Sequence, residues 1–349
     1  FPYTTLFRSF KIRLLPIAGF MQVNKKENKE VRTDKEFQPI SAMTIIPGTT
    51  GQFDLYLKRH GQYILYSQKG DKFSEEKLAK VLEVTEFYIP VEHKFEYERY
   101  MAKNLGDLLG NDRVPIKQRS RIFYNISSSV VRRTFDTKVP KTLSPNMHKE
   151  LVNIVNASIK FFTSPDALRS VSQFISHDYH TYSHSLQVMV LFLSIMQTLP
   201  DVDKKVLREC GMGALLHDIG KIVIPLEVLN KPGPLNSKEW DIVKTHPAKG
   251  LRICSELPLT QTTINCILFH HERMDGSGYP GGLGGEGIPV EARAMAVCDV
   301  YDALTTDRPY AKAMSPYDTL KYMKENMEGH FDPAMYKRLV FVLSNAKVV

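Results

Sequence analysis

Cysteine is scarce: four residues in 349, at positions 210, 254, 266 and 298, with no CxxC pair among them. That pattern excludes a disulfide framework and points to reduced thiols in a cytoplasmic protein. Long apolar runs are lacking too. The most apolar stretch, LQVMVLFLSIM (186–196), falls well short of the roughly 20 residues that cross a bilayer, so it reads as a buried core helix and no membrane span is expected. There is no internal repeat and no low-complexity tract. Acids are absent from the first twenty residues, which supply Arg8, Lys11 and Arg13 to a net charge of +8. The excess suggests an anionic partner, though nothing in it marks a nucleic-acid polymer. What remains, 43% hydrophobic and 24% charged residues, is the composition of a soluble globular chain.

FPYTTLFRS (1–9) resembles the translated read-through of a sequencing adapter. Residues 1–37 are therefore expected to comprise this non-native scar and a flexible lead-in, with Met21 as the candidate start, residues 10–20 assigned to neither, and QVNKKENKEVRTDKEF (22–37) solvated. Residues 38–140 read as a small α+β domain. FDLYLKRHGQYILYSQKG (53–70) alternates around a hairpin signal at RHGQ, SEEKLAKVLEV (74–84) opens on a Ser cap, and EFYIPV (86–91) reads as a strand. EYERYMAKNLGDLLG and QRSRIFYNISSSVVRRTF read as helices, and DTKVPKTLSPN as a linker. His60 and His93 are expected on its surface. From 146 to 349 the pattern is helix after helix: 147–162, 165–176, 180–198, 203–217, 237–244, 247–256, 260–271, 289–304, 316–327 and 333–345. Prolines near their starts punctuate them.

Within this second region the histidines gather in short signatures. HTYSHS sets His180 and His184 one helical turn apart. LLHDIGKIVIP places His217 beside Asp218, with Gly220 as a helix stop and Lys221 just beyond. KTHPAKG supplies His246, FHH supplies His270 and His271, and VCDVYDAL supplies Asp299 and Asp302. Imidazole with carboxylate and no thiolate suits iron, manganese or zinc. Six or more such ligands exceed what one ion takes while leaving room for substrate, which points to two ions bridged by a carboxylate. Paired ions of that kind serve in-line phosphoryl displacement.

The run from His184, through HDIGK (217–221), HP (246–247) and HHERMDGSGYP (270–280), to DVYDALTTDRPY (299–310) resembles an HD-GYP domain of the HD phosphohydrolase superfamily. The resemblance implies that the α+β N-terminal domain is followed by an all-α HD-GYP helical bundle over 146–349, and that the bundle hydrolyses cyclic di-GMP or, as in some members, cyclic GMP–AMP. It implies His184, His217, Asp218, His246, His270, His271 and Asp299 as ligands of two divalent ions, iron or manganese, with Asp218 bridging. Lys221 falls where the family places a cation near the scissile phosphate, and Arg308 and Lys312 where basic groups meet the ligand. Asp302 is expected to orient a ligand. Gly278, Tyr279 and Pro280 form a loop folded close to the site, where glycine permits positive φ and close backbone approach. There Tyr279, held extended by the following proline, lines the ligand groove or forms a partner surface.

Family members with three ions carry an acid four residues before the first ligand histidine, where this chain has His180. A binuclear site is therefore expected, with His180 as an outer or third-metal candidate. The expected partners are cyclic di-GMP, a diguanylate cyclase or other signalling protein docked on the GYP loop or the N-terminal domain, and a second copy of the chain. A non-hydrolytic sensor of the dinucleotide is the rival reading.

Overall fold

The computed structural model describes residues 34–79, 86–135, 142–174, 181–231, 233–307 and 312–349. His180 and Arg308 lie outside these residues, as do residues 1–33 and 136–141 of the expected scar, lead-in and linker.

The chain is mostly helical, with a small antiparallel sheet near its start. The strands are β1 (Phe37–Ser41), β2 (Leu55–Arg59), β3 (Gln62–Ser67) and β4 (Glu86–Pro90), in the order β1-β4-β2-β3. The RHGQ signal is the β2–β3 hairpin, Arg59 pairing with Gln62. Its two central residues, His60 and Gly61, both have positive φ, 49° and 77°, which matches the twist of the flanking strands. β1 begins inside the stretch read as lead-in. Phe37 is buried and pairs with Pro90, after a 3-10 turn over Asp34–Glu36, so the solvated reading fails at Phe37, while Lys35 and Glu36 are exposed.

Helices α1 (Glu75–Ala79), α2 (Lys94–Lys103), α3 (Leu105–Leu109) and α4 (Ile116–Phe135) complete the N-terminal part. The helical bundle follows: α5 (Pro145–Phe161), α6 (Pro165–Ser172), α7 (Thr181–Met196), α8 (Lys204–Leu216), α9 (Leu226–Leu229), α10 (Ser237–Val243), α11 (His246–Ile253), α12 (Gln261–Phe269), α13 (Val290–Thr305), α14 (Pro316–Asn326) and α15 (Pro333–Asn345). Proline opens α5, α6, α14 and α15, at the position where its missing N–H costs nothing. Ser144, Ser315 and Asp332 cap three of these starts by accepting from backbone N–H groups.

Ser183 to Met196 of α7 are buried on every face, as an all-round apolar helix must be. Around this rod pack α4, α8, α13 and α15. One core runs without a break from Phe53 and Phe87 of the sheet region, through Phe123 and Val131 of α4, into α7 and α15. The N-terminal helices thus share a core with the bundle, and α4 lies directly on α6 and α7. Among the described residues, no helix is long and apolar enough to cross a membrane. All four cysteines are free and buried.

Candidate metal centre

Seven side chains from five helices and their ends converge on one buried point. His184 comes from α7, His217 ends α8 and Asp218 follows it, His246 opens α11, His270 ends α12 with His271 next, and Asp299 lies on α13. They form two groups, one of Asp218, His246, His270 and His271 and one of His184, His217 and Asp299, each with its donor atoms within 4.8 Å of one another. Asp218 stands between them. Its Oδ2 is 3.6 Å from His184 Nε2 and 3.5 Å from His217 Nε2. Its Oδ1 is 3.3 Å from His246 Nε2 and 3.9 Å from His270 Nε2.

Helix ends explain why the rings point inward. The last carbonyls of a helix have no intrahelical donor, and here three of them take an imidazole. The Nδ1–H of His217 donates to Ala214 at 2.7 Å, that of His246 to Val243 at 2.8 Å and that of His270 to Ile267 at 2.9 Å. The same ends, those of α8, α10 and α12, direct the negative pole of each helix at the cluster. Asp302, one turn along α13 from Asp299, accepts from His184 Nδ1 at 2.6 Å.

With Nδ1 committed as a donor, each of His217, His246 and His270 turns an Nε2 lone pair toward the cluster, while His184 Nε2 lies 2.9 Å from Asp299 Oδ1. Yet the Nε2 atoms of His217 and His184 lie 3.3 Å apart, and those of His246 and His270 lie 3.2 Å apart. The facing lone pairs of His246 and His270, beside a buried Asp218 Oδ1 with no hydrogen-bond partner, call for a cation between them. Burial pushes His217, His270 and His271 below the usual imidazole range, leaving them neutral as metal binding requires. Burial works against the two carboxylates, but Lys221 and the histidines bring Asp218 well below the ordinary range, and His184 does the same for Asp299. Burial would lower His184, but Asp299 and Asp302 together carry it well above. The residues present fit divalent transition metals.

Two glycines set this geometry by what they leave out. A Cβ on Gly220 would collide with the His246 carbonyl and the Gly250 nitrogen, so only glycine lets the HDIGK turn sit against the start of α11. A Cβ on Gly278 would collide with the backbone of His271, Glu272 and Arg273. Gly278 therefore serves close approach, while positive φ falls at Gly276, Gly282 and Gly285. Tyr279, joined to Pro280 by a cis peptide bond, lays its ring 4.7 Å from His271 at an interplanar angle of 30°.

Lys221 reaches back to Asp218 Oδ2 at 2.6 Å. Lys312 is an exposed side chain on the segment leading to α14. His60 is exposed, and His93 is partly buried away from the cluster, where its Nδ1 accepts from the Asp54 N–H at 3.1 Å. Sequence reasoning missed Glu272. It is 2% exposed, and its carboxylate accepts from the Gly281 N–H at 2.6 Å and the Leu283 N–H at 2.9 Å, latching the glycine-rich loop. The signal was its place directly after the paired histidines.

The HD domain family profile matches residues 141–335, more than half of the chain. The chain belongs to the HD domain family. The chain carries the HD-GYP signature and is 36% identical, over 226 residues, to a cyclic di-GMP phosphodiesterase of Pseudomonas aeruginosa, covering 64% of this chain and 54% of that one. It is also 36% identical over 162 residues to 3′3′-cGAMP-specific phosphodiesterase 3 of Vibrio cholerae, covering 46% of this chain and 35% of that one. The chain thus spans about half, or less, of the length of these curated relatives. In fold it is similar to an HDG"Y"P protein from Bdellovibrio bacteriovorus, with a TM-score of 0.60 at 22% identity, covering 88% of this chain and all of that one.

Proposed function

We propose that this HD domain protein is a metal-dependent phosphodiesterase that hydrolyses cyclic di-GMP to linear pGpG and, by a second cut, to GMP. The observation that supports it most is the Asp218 carboxylate, buried between two histidine groups with one oxygen turned to each. We assign His184, His217 and Asp299 to one ion and His246, His270 and His271 to the other, with Asp218 shared. Iron or manganese is the metal that this ligand set favours. The bound pair would supply Lewis acidity at the phosphoryl oxygens and acidify a water.

The chain's own groups do the rest. Water oxygen bonds to phosphorus in line as the bond from phosphorus to the ribose 3′ oxygen breaks, and that oxygen leaves with a proton from solvent. Lys221, with 19% of its side chain exposed beside Asp218, is placed to offset charge on the equatorial oxygens. Asp302 accepts from His184 Nδ1 and so turns Nε2 of that ring toward the cluster. Tyr279 walls the His271 side of the cluster and limits water. Arg308 and Lys312 are assigned to the ligand's distal phosphate on the resemblance alone. His180 is assigned no ion.

The relative named as cGAMP-specific supports cyclic GMP–AMP as a second substrate reading. The N-terminal region is proposed as a regulatory or docking module, since α4 packs on α7, the helix of His184. A diguanylate cyclase or another signalling protein is the partner proposed for that region or for the GYP loop, and a homodimer belongs to the same reading. The deciding experiment is turnover of cyclic di-GMP against cyclic GMP–AMP by protein purified anaerobically, with its metals assayed. Faster turnover of cyclic di-GMP is expected. Tight binding of either dinucleotide without hydrolysis by the metal-loaded protein would show a sensor instead.

A further inference from the structure

The chain holds a single tryptophan, Trp240. It lies on α10 with 46% of its surface exposed, where a large amphipathic ring forgoes most of the gain from burial. The helix that carries it is firmly set. Asn236 and Glu239 close a capping box at its start, and Glu239 also pairs with Lys231 at 2.6 Å.

The ring is not isolated. Its centroid is 6.1 Å from that of Tyr279, at an interplanar angle of 78°. Tyr279 in turn lies 4.7 Å from His271 and 6.3 Å from His246. These four rings make a continuous aromatic path from the buried cluster to solvent, from His246 with no exposed surface to Trp240 at nearly half. A near-perpendicular pair engages at most one face of the indole. With 46% of the residue exposed, that contact leaves indole surface open to solvent at the outer end of this path.

We propose that Trp240 is a base-stacking residue, whose open surface takes one purine of a cyclic dinucleotide held by its phosphate at the cluster. This rests on the phosphodiesterase reading. A cyclic dinucleotide is two purines on a phosphate–ribose ring, so a phosphate anchored among the histidines places a base about one sugar away, outside the His271–Tyr279 wall. Aromatic stacking tolerates any base, because every base has a π face. Trp240 accordingly sets affinity and leaves the choice between guanine and adenine unchanged. An exposed tryptophan is also a common anchor for protein partners, but its edge-to-face contact with the ring that covers His271 favours the ligand.

The test uses the whole 349-residue chain, loaded with metal. Because Trp240 is the sole tryptophan, emission excited at 295 nm reports on this ring alone. GMP should quench it and inorganic phosphate should not. Trp240→Ala should raise KM for cyclic di-GMP on the order of tenfold or more with kcat within about twofold, and Trp240→Phe should recover most of the loss. Inhibition by inorganic phosphate, which reads the cluster without a base, should be unchanged, as should the ratio of cyclic di-GMP to cyclic GMP–AMP turnover. An unaltered KM in Trp240→Ala, or equal loss of metal and phosphate inhibition, overturns the proposal. If the wild-type protein hydrolyses neither dinucleotide, the phosphodiesterase reading fails, and GMP quenching still decides whether Trp240 stacks.

Discussion

Replacing Glu272 by Gln should unlatch the glycine-rich loop without touching the metals. The carboxylate is 2% exposed and spends both oxygens on backbone donors, Oε1 on Gly281 and Oε2 on Leu283. Glutamine keeps the shape but turns one acceptor into an NH2 that faces an N–H. One charge-assisted hydrogen bond is lost, the other weakens, and a buried donor goes unpaired, for a combined local cost of about 2–4 kcal/mol. The core runs elsewhere, so the cost falls on the loop rather than on global stability. Amide exchange in a peptide covering 276–288 should accelerate roughly 30- to 1,000-fold, at about 1.4 kcal/mol per factor of ten. Metal content should hold, while kcat/KM for cyclic di-GMP falls because Tyr279 loses its fixed position. Hydrogen–deuterium exchange read by mass spectrometry decides the matter. Unchanged exchange in that peptide refutes the latch.

Gly220→Ala should lower both thermal stability and metal content. Its methyl group meets backbone on both sides, so the turn must shift from α11 at a cost of about 1–3 kcal/mol, visible as a lower Tm by circular dichroism. A wild-type Tm would show that the turn can yield. Asp302→Asn should weaken metal affinity about 10- to 100-fold, because the charge that orients His184 is gone; competition with a metal chelator measures it, and an unchanged affinity would make Asp302 a bystander. Burial pushes Cys254 up to about 12 and raises Cys266 and Cys298 as well. At pH 8 a disulfide reagent should therefore titrate no thiol in the folded protein and all four after denaturation; rapid native reaction would contradict their burial.

The helices of the bundle were legible because their signals are local. Pro145, Pro165, Pro316 and Pro333 stand at first helical positions, and the apolar run of α7 could only be buried. The cluster was legible because its residue types recur in a fixed order beside helix ends. β1 was not. FQPIS carries a proline and follows a charged stretch, and it is tolerated only because β1 is an edge strand, where Pro39 can sit opposite Tyr88. The carbonyls of Ala214, Val243 and Ile267 were equally hidden, since any helix has such carbonyls and only tertiary packing turns them on an imidazole. Glu272 belongs with them, because its partners lie 9 and 11 residues further along a loop. The shared core of α4 and α7 was hidden for the same reason.

Asp218→Ala, analysed for metal by mass spectrometry and for hydrolysis of cyclic di-GMP, tests the central claim most directly. One carboxylate serves both histidine groups, Oδ2 toward His184 and His217 and Oδ1 toward His246 and His270. The wild-type protein should therefore carry two ions per chain and turn over substrate, and the variant should lose both ions together with its activity. A variant that keeps two ions and hydrolyses cyclic di-GMP at the wild-type rate would contradict the shared-carboxylate centre.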